Sequence, residues 1–263
     1  MRSSGPDIPR IVHRVLTRDE RDGIHIVRMH HGRANALDLE FLEELRKQFE
    51  QAAPACVLVG TGSIFSAGVD LRRFLDEGDD YVDAFLDRLD ACLRALFTSD
   101  VPHVACLNGH AIAGGGVLAF ACDETIAARG AGRIGVPELL VGVPFPAMAL
   151  EIVRDRAPRA TWTRLLLRGE TIPMEEAAAL GIVDEVVEAD RLEGRSIERA
   201  RALADICPAA FRETKRALRR SAMERYRTAL AHEGKSRAVW KSDACRDAMR
   251  RYVEHTLGAS RER

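Results

Sequence analysis

Two short glycine-bearing segments have the residue types to bind a negatively charged oxygen through their backbone. The segment "FSAGVDL" spans residues 65–71, "AGGGVL" spans residues 113–118, and each precedes a stretch with helical character. The first N–H groups of a helix lack partners inside that helix and present partial positive charge. Two such groups from separate turns can converge on one oxygen and form an oxyanion hole. The spacing alone leaves open that both segments are ordinary strand-to-helix turns.

Three other patterns resemble known motifs, but each lacks a required feature. "GHAIAGGG" (109–116) has the spacing of a phosphate-binding loop, yet Gly115 and Gly116 stand where the lysine and the hydroxyl residue must follow. "GAGRIG" (130–135) matches GxGxxG, but three prolines follow instead of a helix. The stretch 65–68 lacks the first glycine of a nucleophile elbow, because Ile64 occupies that position. We therefore expect neither a nucleotide site nor a hydrolytic serine.

Strands that alternate with helices are predicted up to about residue 135. The runs Ile11–Thr17 and Ile24–His30 flank "RDERDG" and predict a β-hairpin. Asp38 is the predicted N-cap of a helix over 38–52, whose leucines recur at helical spacing. Short apolar runs predict buried strands. The remaining predictions in this part are strands at 55–59, 103–109 and 124–129 and a helix at 81–98.

Helices dominate the predicted structure after Pro146. The stretch "GRIGVPELLVGVPFP" (132–146) is predicted to be irregular, and residues 182–187 to be extended. Helices are predicted near 158–168, 174–180, 190–204, 208–222, 224–240 and 243–257. The chain is therefore predicted to fold as an α/β core with a helical C-terminal region.

Composition argues against several classes of protein. The net charge of −1 over 263 residues provides no field that would draw the chain onto nucleic acid. No run of eighteen apolar residues and no secretory signal is visible, so we expect no membrane contact and a cytoplasmic location. The six cysteines are scattered without a CxxC pair, as in reduced proteins. The pair His30 and His31 has no acidic or cysteine partner at a ligand spacing, so no metal site is expected.

Positive charge is concentrated near the C-terminus. Residues 211–263 hold fifteen lysines and arginines against seven acidic residues. A solvated helical face explains this composition, and a patch for an anionic ligand or a neighbouring subunit is the alternative.

Several stretches in order along the chain resemble the crotonase superfamily, also called the enoyl-CoA hydratase/isomerase family. These stretches are "ANALD" (34–38), "IFSAGVDL" (64–71), "NGHAIAGGG" (108–116), "CDETIAA" (122–128), "RIGVPELLVGVP" (133–144) and "AAALGIVDEVV" (177–187). The resemblance implies a spiral of ββα turns, with an acyl-CoA-binding core over 10–195 and a helical trimerisation region over 196–263. It further implies an acyl-CoA thioester as substrate, no separate cofactor, and assembly as a homotrimer or a dimer of trimers.

The resemblance also assigns roles to residues. The N–H groups of Val69 and Gly115 would form the oxyanion hole, and Arg72 stands where the family often has a lysine near the CoA phosphates. "ANAL", composed of Ala34, Asn35, Ala36 and Leu37, would run along the CoA adenine. The other substrate-contacting positions that it implies are Ala67, Gly68, Asp70, Gly114, Leu118 and Phe145.

The most informative departure from the hydratase pattern is a missing acid. Hydratases of this family use two glutamates, and here the first position holds Leu118 while the second holds Glu138. A single base suffices to move a proton from C2 to C4 of a 3-enoyl thioester through an enolate. Burial beside Leu118 and Phe145 would raise the pKa of Glu138, which suits a base that returns its proton. We therefore expect an enoyl-CoA isomerase. A hydratase, another hydrolase or lyase of the family, and a non-catalytic CoA-binding protein are the alternatives.

Overall fold

The described part of the chain begins with a β-hairpin. In the computed structural model, which describes residues 15–258, β1 (Leu16–Arg21) pairs antiparallel with β2 (Ile24–Met29). The turn consists only of Asp22 and Gly23. Their positive φ angles, 55° and 77°, are of the kind that the tightest, two-residue hairpin turns require. The prediction of a first strand at Ile11–Thr17 with a turn at "RDERDG" was therefore wrong, because most of that segment pairs as strand. Residues 11–14 lie outside the described part.

Ten strands form two sheets in the described part of the chain. The larger sheet has the order β1-β2-β3-β5-β7-β10, and all neighbours after the hairpin run parallel. The smaller sheet has the order β4-β6-β8-β9, of which the first three strands are parallel. The strands after the hairpin are β3 (Cys56–Val59), β4 (Ile64–Ser66), β5 (His103–Leu107), β6 (His110–Ile112), β7 (Glu124–Ala128), β8 (Arg133–Gly135), β9 (Thr171–Pro173) and β10 (Glu185–Val187).

Helices follow the strand pairs and then make up most of the C-terminal region. The α-helices are α1 (Leu39–Phe49), α2 (Leu71–Asp76), α3 (Asp79–Phe97), α4 (Gly114–Ala121), α5 (Glu138–Val141), α6 (Ala147–Arg156), α7 (Met174–Ala179), α8 (Leu192–Ala204), α9 (Pro208–Ala229), α10 (Glu233–Trp240) and α11 (Asp243–Gly258). Short 3₁₀ turns cover Arg159–Thr161, Ala189–Arg191 and Leu230–His232, and a π-helical turn covers Thr163–Leu167. Among residues 15–258, no helix combines the length and the apolar character that a membrane crossing requires.

Three successive turns of the chain repeat the same path. The strand pairs β3–β4, β5–β6 and β7–β8 each send their first strand to the larger sheet and their second strand to the smaller one. A helix follows each pair: α2 and α3, then α4, then α5. This arrangement confirms the predicted α/β fold, a spiral of ββα turns with helices at the C-terminus.

The first helix shows how the local sequence sets an element. The Asp38 carboxylate accepts the N–H of Phe41 at 2.8 Å and so caps α1, as predicted. Its buried residues recur at helical spacing and place one face in the core. These residues are Phe41, Leu42, Leu45 and Phe49.

Other predictions of element type or boundary were also wrong. The stretch 132–146 is not irregular throughout, since it contains β8 and α5. No strand was predicted between β3 and α2, where the chain forms β4. The predicted helix break near residue 223 does not occur, because Ala222 and Tyr226 are buried one turn apart on the same face of α9. The break comes instead at the 3₁₀ turn Leu230–His232.

The last two helices pack on the core of their own chain. Trp240 at the end of α10 and Met249 in α11 are both buried. Lys241, which follows α10, donates to Asp83 of α3 at 2.8 Å. Helix α11 lies against α2 and α5. The C-terminal helices therefore cover the part of the core that contains α2 and α5.

Candidate functional site

Three strand ends bring the predicted site residues to one edge of the smaller sheet. Strands β4, β6 and β8 are parallel neighbours, so their carboxyl ends meet. Val69, Gly115 and Glu138 each lie three residues beyond the last residue of one of these strands. The repeated ββα path therefore brings three residues that are distant in sequence to the same place.

The first turn leaves the Val69 N–H free. Leu37 forms a parallel bridge with Val69, in which the Leu37 N–H donates to the Gly68 carbonyl at 2.7 Å and the Asp70 N–H donates to the Leu37 carbonyl at 3.0 Å. Such a bridge uses the peptide groups on either side of Val69, so its own N–H points away from Leu37. Within residues 15–258 this N–H has no acceptor.

The stretch 34–37 holds this first turn in place. Asn35 is 1% exposed and has a φ of 48°, and its side-chain amide donates to the Phe65 carbonyl at 3.0 Å. The Ser66 hydroxyl donates to the Asn35 carbonyl at 2.8 Å, and the Ala67 N–H donates to Ala34 at 3.0 Å. These bonds give the segment a structural role. Its contact with a CoA adenine stays a prediction, for which the half-buried Ala34 and Ala36 are the more accessible members.

The second turn begins α4 with an unusual backbone. Ala113 has a φ of 50° and a ψ of −127°, and its N–H donates to the Gly135 carbonyl at 2.9 Å. A positive φ is costly for alanine and persists only where the surroundings enforce it. No side chain caps α4, and the Gly115 N–H has no acceptor within the described residues.

The two turns touch each other, which explains their glycines. A Cβ on Gly115 would lie 2.3 Å from the Ser66 carbonyl oxygen, and one on Gly68, whose φ is 84°, would lie 2.7 Å from the Ala113 Cβ. A Cβ on Gly114 would lie 2.7 Å from the Leu37 side chain. Only glycine fits such close backbone approaches. The two free N–H groups therefore come from segments in direct contact.

Glu138 is a buried carboxyl group that forms no ion pair with any residue in the range 15–258. It opens α5, is 7% exposed, and its Oε2 atom has no hydrogen-bond partner among residues 15–258. Burial raises the pKa of Glu138 to about 8, and a hydrogen bond from its own backbone N–H only partly opposes this effect. The direction agrees with the sequence prediction. A carboxyl group with this pKa can both accept and release a proton near neutral pH.

A cavity of about 50 Å³ joins Glu138 to the first turn. Its walls are almost entirely apolar. The lining residues are Ala67, Val69, Leu71, Ile112, Ala113, Pro137, Glu138, Val141, Val143, Trp240 and Tyr252. Leu118 and Phe145, which we expected beside Glu138, are not among them. Leu118 is fully buried in the core, and Phe145 packs half-buried against it.

Sequence reasoning missed two wall residues, Trp240 and Tyr252. They come from α10 and α11, about one hundred residues beyond Glu138. Burial raises the pKa of the Tyr252 hydroxyl, and the charge of Glu138 adds to the rise, as expected for groups that share one cavity. The available signal was the apolar spacing of Cys245, Met249 and Tyr252, which marks a buried helix face but not its partner.

Two predicted substrate contacts have other surroundings. The Asp70 carboxylate accepts the N–H groups of Arg72 and Arg73, each at 3.2 Å, and so caps α2. The Arg72 side chain is exposed and makes no ion pair within the described part of the chain, which leaves it accessible to an anion.

Residues 15–258 contain no group of three or more His, Cys, Asp or Glu side chains that could hold a metal ion.

A second carboxylate, Asp123, has a side chain that is 12% exposed and lies just after the other end of α4. Its oxygens accept the Lys215 ammonium at 2.7 Å, an Arg219 nitrogen at 2.9 Å and the His103 backbone N–H at 2.8 Å. Both cations belong to α9, more than ninety residues further along the chain. This carboxylate has its donors within the chain.

Comparisons with known proteins agree with the fold. A sequence model of the enoyl-CoA hydratase/isomerase family matches residues 19–258. The 2,3-dehydroadipyl-CoA hydratase of Escherichia coli is 28% identical over 204 residues, which is 76% of this chain and 79% of that protein. A putative enoyl-CoA hydratase of Thermus thermophilus is 33% identical over 68% of this chain and 71% of that one. The human mitochondrial delta3-delta2-enoyl-CoA isomerase superposes with a TM-score of 0.87 at 23% identity, over 93% of this chain and 99% of that one.

Proposed function

Because the chain belongs to the enoyl-CoA hydratase/isomerase family, we propose that it converts 3-enoyl-CoA thioesters into 2-enoyl-CoA thioesters. One observation carries this proposal: Glu138 is the only carboxyl group that lines the cavity in the described structure. It is buried, without a cation, and has a pKa of about 8. It shares the cavity with Val69 and with Ala113, the residue that precedes α4. The N–H groups of Val69 and Gly115 have no acceptor among the described residues.

The proposed reaction uses these groups in sequence. The thioester oxygen accepts hydrogen bonds from the Val69 and Gly115 N–H groups, which act as an oxyanion hole. The Glu138 carboxylate removes a proton from C2, and the electron pair moves onto the thioester oxygen as an enolate. The double bond then re-forms between C2 and C3, and Glu138 returns its proton to C4. Backbone donors that are already in place stabilise the developing charge without reorganisation.

Hydration of a 2-enoyl thioester is the second candidate, since relatives in Escherichia coli and Thermus thermophilus are named as hydratases. Hydration requires a positioned water molecule and proton transfer to and from it. The cavity offers one carboxyl group and otherwise apolar walls, apart from the Tyr252 hydroxyl and the Trp240 indole. This lining favours proton transfer within the substrate over addition of water. A homotrimer or a dimer of trimers and a cytoplasmic location stay predictions.

A direct assay separates the candidates. The protein is incubated with 3-enoyl-CoA and with 2-enoyl-CoA, and conjugation and hydration are followed by absorbance. We expect conversion of the 3-enoyl substrate that disappears in Glu138→Gln. Rapid water addition to the 2-enoyl substrate would contradict isomerisation as the main reaction. CoA binding without turnover of either substrate would indicate a non-catalytic protein.

A further inference from the structure

The cavity beside Glu138 is small for an acyl chain. Its volume is about 50 Å³. An apolar protein cavity of roughly 150 Å³ holds benzene, with six heavy atoms, so about 50 Å³ accommodates two or three heavy atoms. Once the thioester carbonyl lies at the two N–H groups, the space beyond it suits only the carbons that react and few others.

The wall formed by Trp240 is rigid. The indole is 3% exposed, and its N–H donates to the Pro144 carbonyl at 3.0 Å. The ring packs against Phe74 with centroids 5.5 Å apart, and Phe74 in turn packs edge-on against Phe85 at 4.8 Å. A side chain held by a hydrogen bond and by buried aromatic neighbours does not move aside without loss of these contacts.

The wall formed by Tyr252 is tied to the element that carries Glu138. Helix α11 buries Cys245 and Met249 one turn apart, and Tyr252 follows on the same face. A Cβ on Gly142 would lie 2.4 Å from the Cβ of Ala248, so α11 packs directly on the end of the Glu138 helix. The Tyr252 wall of the cavity and the proposed base therefore belong to one packed unit.

We infer that Trp240 and Tyr252 determine acyl-chain length and restrict the substrate to short-chain 3-enoyl thioesters of about four to six carbons. This inference rests on the proposed isomerase function, because it places the acyl group between the free N–H groups and Glu138. The C-terminal helices then act as the specificity element of the site, and the core supplies the reacting groups.

A chain-length series tests the inference. The ratio kcat/KM is measured for 3-enoyl-CoA substrates of four, six, eight, ten and twelve carbons with the wild type, Tyr252→Ala and Trp240→Phe. We expect a wild-type fall of at least tenfold between six and ten carbons. Both variants should regain at least fivefold at eight and ten carbons. Trp162→Phe is the matched control, because this second tryptophan also donates to a backbone carbonyl but does not line the cavity.

Binding supplies a readout that does not depend on turnover. Calorimetric affinities for saturated acyl-CoAs of two to twelve carbons should stop rising at four to six carbons in the wild type and at a longer chain in Tyr252→Ala. Equal wild-type activity and affinity at six and twelve carbons would overturn the inference while leaving the isomerase proposal intact. Absence of isomerisation at every length would instead overturn the proposed function. If a variant does not fold, as judged by circular dichroism, the wild-type series still decides.

Discussion

The two ends of helix α4 differ in whether their terminal backbone groups have hydrogen-bond partners. At its N-terminus, no side chain caps the helix, and the Gly115 N–H has no acceptor within residues 15–258. At its C-terminus, Arg219 donates to the Ala121 and Cys122 carbonyls at 3.3 and 3.4 Å. A helix presents positive charge at its first turn and negative charge at its last. The protein supplies its own cation at the last turn, whereas the first turn has no such partner among the described residues.

The carboxyl groups near these ends differ in the same way. Asp123, beside the C-terminus, forms ion pairs with Lys215 and Arg219. Burial lowers the pKa of both cations, and the charge of Asp123 opposes this shift. Glu138, beside the N-terminus, has no cation, and its pKa is about 8. Both side chains are largely shielded from solvent, and only Asp123 has ion-pair partners among the described residues. A paired carboxylate stabilises the packing of α9 on the core, whereas an unpaired one is free to exchange a proton.

The largest effect is expected from removing the unpaired carboxyl group. Glu138→Gln should lower kcat for the 3-enoyl substrate by about 10²–10⁴-fold, because the variant cannot accept the C2 proton. Its thermal midpoint above pH 8 should equal or exceed that of the wild type, since an ionised carboxylate no longer has to be buried. Steady-state rates and calorimetric melts measure both quantities. A variant that keeps one tenth or more of the wild-type kcat would contradict the role of Glu138 as the base.

The paired carboxylate should show the reverse pattern. Asp123→Asn leaves Lys215 and Arg219, whose side chains are 7% and 12% exposed, without their counter-charge. The variant should lower the free energy of unfolding by about 3–5 kcal/mol. The kcat of the protein that remains folded should stay close to wild type. Urea unfolding and active-site titration separate the two effects. A large loss of kcat at unchanged stability would show that the two ends of α4 are not functionally distinct.

A methyl group at the free end of α4 should reduce catalysis. In Gly115→Ala the new Cβ would meet the Ser66 carbonyl oxygen at 2.3 Å, which pushes the two turns apart. Loss of one oxyanion donor lowers kcat by about 10²–10³-fold in other enzymes, and we expect that range. Gly194→Ala is the control, because its Cβ would meet no atom within 4 Å. Equal rates for the two variants would show that the Gly115 N–H does not contact the substrate.

The effect of pH is expected to be the smallest per step, at about tenfold for each pH unit. Only the carboxylate form of Glu138 can remove a proton, so kcat/KM should rise about tenfold per pH unit below 8 and level off above it. Stability should change in the opposite direction. The native state binds the Glu138 proton more tightly than the unfolded chain, so this group's contribution to stability falls as pH rises from 4.5 through 8. Both trends should be absent in Glu138→Gln, as rate profiles and melts at several pH values would show.

Much of the free end of α4 could be predicted from the sequence, because the features that define it are local. The glycines of 65–71 and 113–118 mark the turns, and the apolar neighbours of Glu138 indicate its burial. The ordering of β4, β6 and β8 at one sheet edge was implied only by the resemblance. The helical character of α5 was missed because four residues between prolines give no periodic signal.

The walls of the cavity could not be predicted, because they depend on contacts between distant segments. Leu118 and Phe145 are near the site in sequence, yet their side chains pack into or against the core. Trp240 and Tyr252 reach the cavity because α10 and α11 fold back over the core, and the helical pattern does not specify where that face docks. The cations around Asp123 were missed for the same reason.

Glu138 is the one carboxyl group among the described residues that line the apolar cavity, and this also has a stereochemical consequence. One base on one side of the substrate removes and returns the proton on the same face, so isomerisation would be suprafacial. A cavity of about 50 Å³ leaves little room for water to exchange with the protonated Glu138. A deuterium atom taken from C2 should therefore be recovered at C4 of the product, even when the reaction runs in ordinary water.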